Sequence, residues 1–373
     1  MTQEQEPLWV FDTEKSTEFL DEAEYDRRFI PLDATLDEII KLVSGGEPID
    51  EVLSLNEAST FKNEASKSIG IVHGSALSIV NIFMNAEQWS GAFINIVSEA
   101  TILGVLYPGE EETHNGALQV VTWVEHNLVP NGPVHDMFKM LLTSNYAFNA
   151  KRWMSTLQRY CDQTKGMDGE GLAVENKNML KLSQRMVNCY ARNLIPCKEN
   201  PWVPLPISDD DKEIFVRMNT NLDDVGLPRG VTITIYTSVL LPIPQITLFE
   251  FLRNGSNRSK SPATNQAATL YLQESFSDSV GLYVVYAPVD VATAQYLSSE
   301  NVAIVPSGFA IMPDKPNFMP VGLSDGGSIL TICFQLVDEQ LSSTDYLPPK
   351  SVITVHRIVS KTVSLIKDAL PCN

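Results

Sequence analysis

Apolar residues recur at two different periods along this chain, and the period changes near residue 208. In the first half the spacing is helical. In "IGIVHGSALSIVNIFM" (69–84), Val72, Ala76, Val80 and Phe83 fall three or four apart, which predicts a helix with one buried face. "NAEQWSGAF" predicts a helix exit and a short second turn around Trp89. "NIVSEATILGVL" and "GALQVVTWVEHNLV" read as strands, the second placing Trp123 and Glu125 on one face and Val124 and His126 on the other. Residues 134–161 predict an amphipathic helix. Tyr146, Ala150, Trp153, Leu157 and Cys161 form its apolar stripe, with Lys151, Arg152, Gln158 and Arg159 largely off it. A loop, "TKGMDGEG", leads to a further short helix, "NKNMLKLSQRMVNCY".

Beyond 208 the runs are short, β-rich and bounded by Gly, Pro or Asp: "EIFVRMN", "RGVTITIYTSVLLP", "ATLYLQES", "GLYVVYAPVD", "VAIVPSGFAIMP" and "GSILTICFQL". In the last, Leu330, Ile332, Phe334 and Leu336 alternate with Ile329, Thr331, Cys333 and Gln335. "VAIVPSGFAIMPD" (302–314) predicts two strands joined through Pro306, Ser307 and Gly308. A long helix over 351–370 carries Val352, Val355, Val359, Thr362, Ile366 and Leu370 on one stripe and stops at Pro371. The expected fold is α+β, an antiparallel sheet closed by a C-terminal helix, with the first half repeating that plan.

Composition refines this picture. A chain of 373 residues suggests two domains, and 44% hydrophobic content is enough for sizeable cores. The net charge of −19 argues against a broad nucleic-acid surface, which needs clustered Lys and Arg. Residues 1–64 hold 17 Asp and Glu against 5 Lys and Arg. Residues 7–64 are expected to be helical in pieces, broken at Gly45, Gly46 and Pro48, and the acidic stretch to present a solvated face or a docking surface for a basic partner. "IPCKENPWVPLPIS" (195–208), with four prolines, reads as a linker. The five cysteines, irregularly spaced and without a CxxC pair, fit free thiols in a reducing compartment and no zinc site. "MTQEQEPLWV" lacks the apolar core of a signal peptide, and no apolar run approaches a membrane span, so the expected setting is intracellular and soluble.

Candidate chemistry is sparse. His73, His114, His126, His135 and His356 show no metal-ligand spacing, and no GxSxG elbow, P-loop or GxGxxG occurs. Asp209, Asp210 and Asp211 lack the further oxygen ligands of a calcium loop. The reading is that the chain is not an enzyme and needs no metal or cofactor.

Several segments together nevertheless resemble a known family. "NAEQWSGAFINIVSEATILGVL", "HNGALQ", "VTWVEHN", "NAKRWMSTLQRYCD" and "NMLKLSQRM" are similar to the START domain of plant class IV homeodomain–leucine zipper proteins. "LPRGVTITIYTSVLLPIPQITLFEFLR", "LYLQESFSDSVGLYVVYAPVD", "NVAIVPSGFAIMPD", "GGSILTICFQL" and "VSLIKDAL" resemble the START-adjacent domain of the same proteins. The resemblance implies four parts: an acidic segment over 1–64, a START-like lipid-binding domain over 65–192, the linker over 193–207 and a START-adjacent domain over 208–373. It implies a helix-grip fold, but one short of several strands. Gln119 is followed almost at once by Val121, and "FEFLRNGSNRSK" passes quickly to "NQAATLYLQES". No homeodomain-like recognition helix and no sustained leucine heptad is found in these residues.

What the resemblance implies for function is a nuclear, lipid- or sterol-binding regulatory module of transcription control. Trp123, His126, Tyr146, Trp153, Met154 and Leu157 are the candidate pocket residues. Family members or transcription cofactors are the implied partners. The alternative is a ligand-free interaction protein, or a decayed paralogue, acting by pairing with full-length relatives.

Overall fold

The computed structural model describes residues 9–12, 17–21, 23–24, 27, 67–125, 149–168, 174–194, 201–205, 214–221, 226–255, 270–290, 298–315, 326–338 and 349–370. By internal contacts the chain forms two units, Met1–Lys67 with Ala100–Trp123, and Ser68–Glu99 with Val124–Asn373.

In the first unit, β1 (Trp9–Asp12) and β2 (Thr17–Leu20) form an antiparallel hairpin. This corrects the helical expectation for 7–64 at these positions. "WVFD" and "TEFL" carry aromatic and β-branched residues that favour strands, and Val10 stands opposite Phe19 and Trp9 opposite Leu20 across the pair.

The second unit opens on two short helices, α1 (Ala76–Met84) and α2 (Ala86–Ala92). Ser75 caps α1, its hydroxyl accepting from the Ser78 N–H at 3.0 Å, and Asn85 caps α2 through Gln88 at 2.9 Å. The cap at Ser75 excludes Val72 from the helix. The face expected to be buried is not: Val80 is 39% exposed and Phe83 43%, and Ile82 alone in α1 is buried. Trp89 does lie in the short second helix as read. β3 (Val97–Tyr107) and β4 (Leu118–Glu125), most of whose residues belong to the first unit, pair with each other, and both sit where the sequence places strands.

Next comes α3 (Ala150–Asp168), which extends through Thr164–Asp168 where a loop was expected. The 134–148 part of that predicted helix lies outside the described residues. The helix read as short is a long one, α4 (Val174–Leu194). Its stripe of Leu182, Met186, Val187 and Tyr190 recurs every three to four residues and is buried.

From there the chain builds one seven-stranded antiparallel sheet in the order β5-β6-β7-β11-β10-β9-β8. Its strands are β5 (Val203–Pro204), β6 (Ile214–Asn221), β7 (Gly230–Leu241), β8 (Leu270–Ser277), β9 (Leu282–Val289), β10 (Ser307–Pro313) and β11 (Ser328–Asp338). The linker expectation fails at β5, which pairs with β6 at the sheet edge, where a proline costs no ladder bond. "VAIVPSGFAIMPD" contributes one strand rather than two. Ser307 and Gly308 are paired with β9, and Gly308 with β11, so they belong to β10 itself. Between β7 and β8 lies α5 (Gln245–Gly255), which the sequence reading did not assign. The chain closes on α6 (Pro349–Ala369).

Alternation gives the sheet two apolar faces. On one, Val355 and Val359 of α6 pack with Val231, Ile233 and Ile235, and Val363 and Ile366 with Val239, Leu241, Leu330 and Ile332. Leu248 and Phe249 of α5 join the same cluster. On the other face α4 packs its stripe on Val285, Ala287 and Cys333. The α+β expectation, with a C-terminal helix across the sheet, is what the structure shows, and the alternation read in β11 divides between these two faces. Burying both sides takes two apolar sheet faces out of water, each fully buried side chain contributing about 1.5–3 kcal/mol.

Candidate functional site

The α4 face of the sheet holds a cavity of about 370 Å³. Its floor is one transverse row. Phe276 on β8 is opposite Tyr283 on β9, Tyr283 is opposite Ala310 on β10, Ala310 opposite Thr331 on β11, and Thr331 opposite Ser238 on β7. All five line the cavity. Directly opposed residues lie about 5 Å apart, so the row makes a trough roughly 20 Å long.

The trough exists because its middle is small. Ala310 and Gly308 point to the cavity side of β10, while their neighbours Phe309 and Ile311 fill the core on the opposite side. Gly308 also lets α4 approach. A Cβ there would stand 2.7 Å from the Val284 carbonyl oxygen and 2.9 Å from Cε2 of Tyr190. The roof is α4, through Val187, Tyr190, Ala191 and Leu194, with Arg152 and Arg159 from α3 and Ile94 and Asn95 after α2. At the β7 end Tyr236 stands against Trp202, edge-on at 4.6 Å, and stacks on Phe215 at 4.9 Å.

Polar groups are few and placed. Ser238 and Thr331 share one hydrogen bond at 2.8 Å. The Tyr283 hydroxyl donates to Asp278 at 3.1 Å, and that carboxylate also accepts the N–H groups of Val280 and Gly281. Arg159 lies 4.3 Å over the Phe276 ring and 3.6 Å from Glu274. Burial lowers its pKa against the opposing pull of Glu274 and Asp278. Glu274 is held further by Gln163 at 2.6 Å and Ser183 at 2.5 Å. Arg152 donates to the Asn95 carbonyl at 2.7 Å. Burial pushes Tyr190 and Tyr283 well above the usual tyrosine range, so both stay neutral. The Tyr190 hydroxyl and the Asn95 side-chain oxygen are buried without a hydrogen-bond partner.

Of the residues singled out from the sequence, Trp153, Met154 and Leu157 do not line this cavity. Trp153 packs on Phe93 at 5.0 Å and Trp89 at 6.5 Å. Leu157 is buried, and Met154 lines an adjoining open groove, with Lys151, Gln158 and Asp162, that shares Arg159 and Phe276 with the cavity. His126 and Tyr146 lie outside the described residues; Trp123 is in β4, with no side-chain placement described. The floor row was invisible to sequence reading because its five members come from five strands. The one available signal was Gly308 and Ala310 alternating with large apolar residues. Among the described residues no group of three or more His, Cys, Asp and Glu could hold a metal, and no helix is long and apolar enough to cross a membrane.

Long helices laid over both faces of one antiparallel sheet, with a cavity under one of them, define an α+β protein of START-like architecture. The sequence model of the PDF2-like C-terminal domain matches residues 173–263 and 259–372, which take in α4, the whole sheet and α6. The chain belongs to that family, among the class IV homeodomain–leucine zipper proteins. It is 27% identical to homeobox-leucine zipper protein ANTHOCYANINLESS 2 of Arabidopsis thaliana, over 100% of this chain and 58% of the relative. It is 31% identical to ROC4 of Oryza sativa subsp. japonica over 70% of this chain and 38% of the relative, and 25% identical to GLABRA 2 of Arabidopsis thaliana over 98% and 62%. The chain thus spans about three fifths of the length of the first of these. That alignment runs over 493 positions, more than the 373 residues here, so it contains stretches where this chain has none. The family match breaks at 259–263, where the sequence reading placed the second shortening.

Proposed function

We propose that the chain is a lipid-responsive regulatory module of the class IV homeodomain–leucine zipper type, acting in the nucleus on transcription and not as an enzyme. The observation that carries this reading is the cavity of about 370 Å³ between α4 and the sheet, apolar over most of its wall with a few placed polar groups. That size and lining suit a small organic molecule. A lipid or sterol is the occupant proposed, and relatives of the same family are the proposed partners, to be sought by co-precipitation with a full-length member.

The test incubates the folded chain with a total plant lipid extract, re-purifies it and analyses what remains bound by mass spectrometry. One lipid class should be enriched over a control protein. Ala310→Leu, which fills the floor, should abolish the enrichment while keeping a cooperative unfolding transition. A folded wild-type chain that retains nothing would overturn the reading.

A further inference from the structure

Tyr190 is 3% exposed, lines the cavity, and its hydroxyl finds no partner. Buried hydroxyls are nearly always hydrogen-bonded, so one without a partner beside an apolar cavity marks a position that a ligand oxygen fills. The hydroxyl is neutral and can donate or accept. Thr331 and Ser238 add to it. Two hydroxyls share one hydrogen bond, which leaves one O–H of the pair uncommitted. Thr331 stands two residues along β11 from Cys333, and Cys333 is opposite the Gly308 on which the Tyr190 ring rests. The two polar points are therefore about 7 Å apart along the strand.

Charge decides what kind of oxygen belongs there. Two guanidiniums, Arg152 and Arg159, line the cavity, and two carboxylates stand just outside its lining, both acting on Arg159. Glu274 sits 3.6 Å from Arg159, and Asp278 is bonded to Tyr283 on the floor. The two arginines and the two carboxylates behind them together bring no net positive charge to stabilise an anion. The chain as a whole carries −19, which repels one on approach. Placing an unmatched carboxylate or phosphate in this lining would bury a charge without a counter-charge.

We infer that the occupant of this cavity is a neutral amphiphile, a hydroxyl- or carbonyl-bearing hydrocarbon, whose single polar head is held by Tyr190 while its apolar body lies along the Phe276–Ser238 row. This rests on the reading of the cavity as a lipid site and narrows it. It assigns Tyr190, on α4 of the PDF2-like domain, as a specificity-determining residue.

Two matched fluorescent probes test it, cis-parinaric acid and the corresponding parinaryl alcohol, titrated into the full chain at pH 7.5. The alcohol should bind at least tenfold more tightly than the acid. Tyr190→Phe should weaken the alcohol about fivefold or more and leave the acid unchanged. The same variant should unfold at a higher temperature than wild type when no probe is present, because it removes a buried hydroxyl that has no partner. A residue serving only structure would not move stability and affinity in opposite directions. Equal binding of acid and alcohol, unaffected by Tyr190→Phe, would overturn this inference and leave the cavity reading standing, provided that Ala310→Leu blocks both. If neither probe binds, the inference falls; the cavity reading falls with it only if the lipid extract also leaves nothing bound.

Discussion

At the residue scale, burial of weak acids sets how the protein meets alkaline solution. Cys333 has no exposed surface on β11, and desolvation pushes its thiol up to about 12 from an ordinary 9.0, with Arg217 opposing. Tyr190 and Tyr283 are raised in the same direction, first by burial. The unfolded chain therefore gives up these protons at lower pH than the folded one does. Their contribution to stability is complete below pH 9 and is lost as pH climbs toward 12, because ionisation favours the unfolded state. Urea midpoints taken from pH 7.5 to 10.5 should fall over the upper half of that range. Cys333→Ala should flatten part of the fall. A midpoint constant to pH 10.5 would show that these groups are not buried as described.

Helices show at the element scale how far a periodic sequence can be trusted. α6 and α1 both carry apolar residues three and four apart, yet only α6 buries its stripe. Ile366 is 3% exposed and packed among Val239, Leu330 and Ile332, whereas Val80 is 39% exposed. Ile366→Ala should therefore cost about 2–5 kcal/mol of unfolding free energy. Val80→Ala should stay within about 0.5 kcal/mol. Equal losses in urea denaturation would contradict the assignment. Periodicity reports what a helix offers for burial; whether a partner covers it is decided by tertiary contacts. The same limit explains why α6, α4 and the strands after 208 were legible while β1, β2 and α5 were missed. α6 and α4 carry long stripes, but "WVFD" and "TEFL" are four residues each and embedded in acid-rich sequence. "QITLFEFLRNG" mixes both periods, so its place beside Leu330 and Ile311 settles it as a helix. The candidates on α3 do not line the cavity under α4, for a related reason. An aromatic stripe on α3 announces packing, and Trp153 packs on Phe93 and Trp89, but nothing along one helix reports which strand residues stand opposite one another.

Over the whole molecule the sheet decides where stability resides. β7, β9, β10 and β11 are paired on both sides, while β5 and β8 are its edges. α4 and α6 cover opposite faces of those inner strands. Native-state hydrogen exchange should be slowest at the amides of β10 and β11, near the global unfolding limit, and faster by orders of magnitude in the β1–β2 pair, which among the described residues has no third strand. Uniform protection across the chain would rule out this distribution. The fold class was readable in advance because strand length and alternation survive without knowledge of partners. The two family matches meet at 259–263, between α5 and β8, and every strand of the seven-stranded sheet lies within one or the other.

β10 has an evolutionary consequence. Its odd positions, Phe309 and Ile311, answer to the core under α6, and its even ones, Gly308 and Ala310, to the space under α4. A gene duplicate could change Ala310 to Gly, Ser, Thr or Val by one base each and alter the depth of the trough, with the residues on either side untouched. Ligand preference can then drift within a lineage while the scaffold stays put, because two selection pressures share one segment of chain without sharing a side chain.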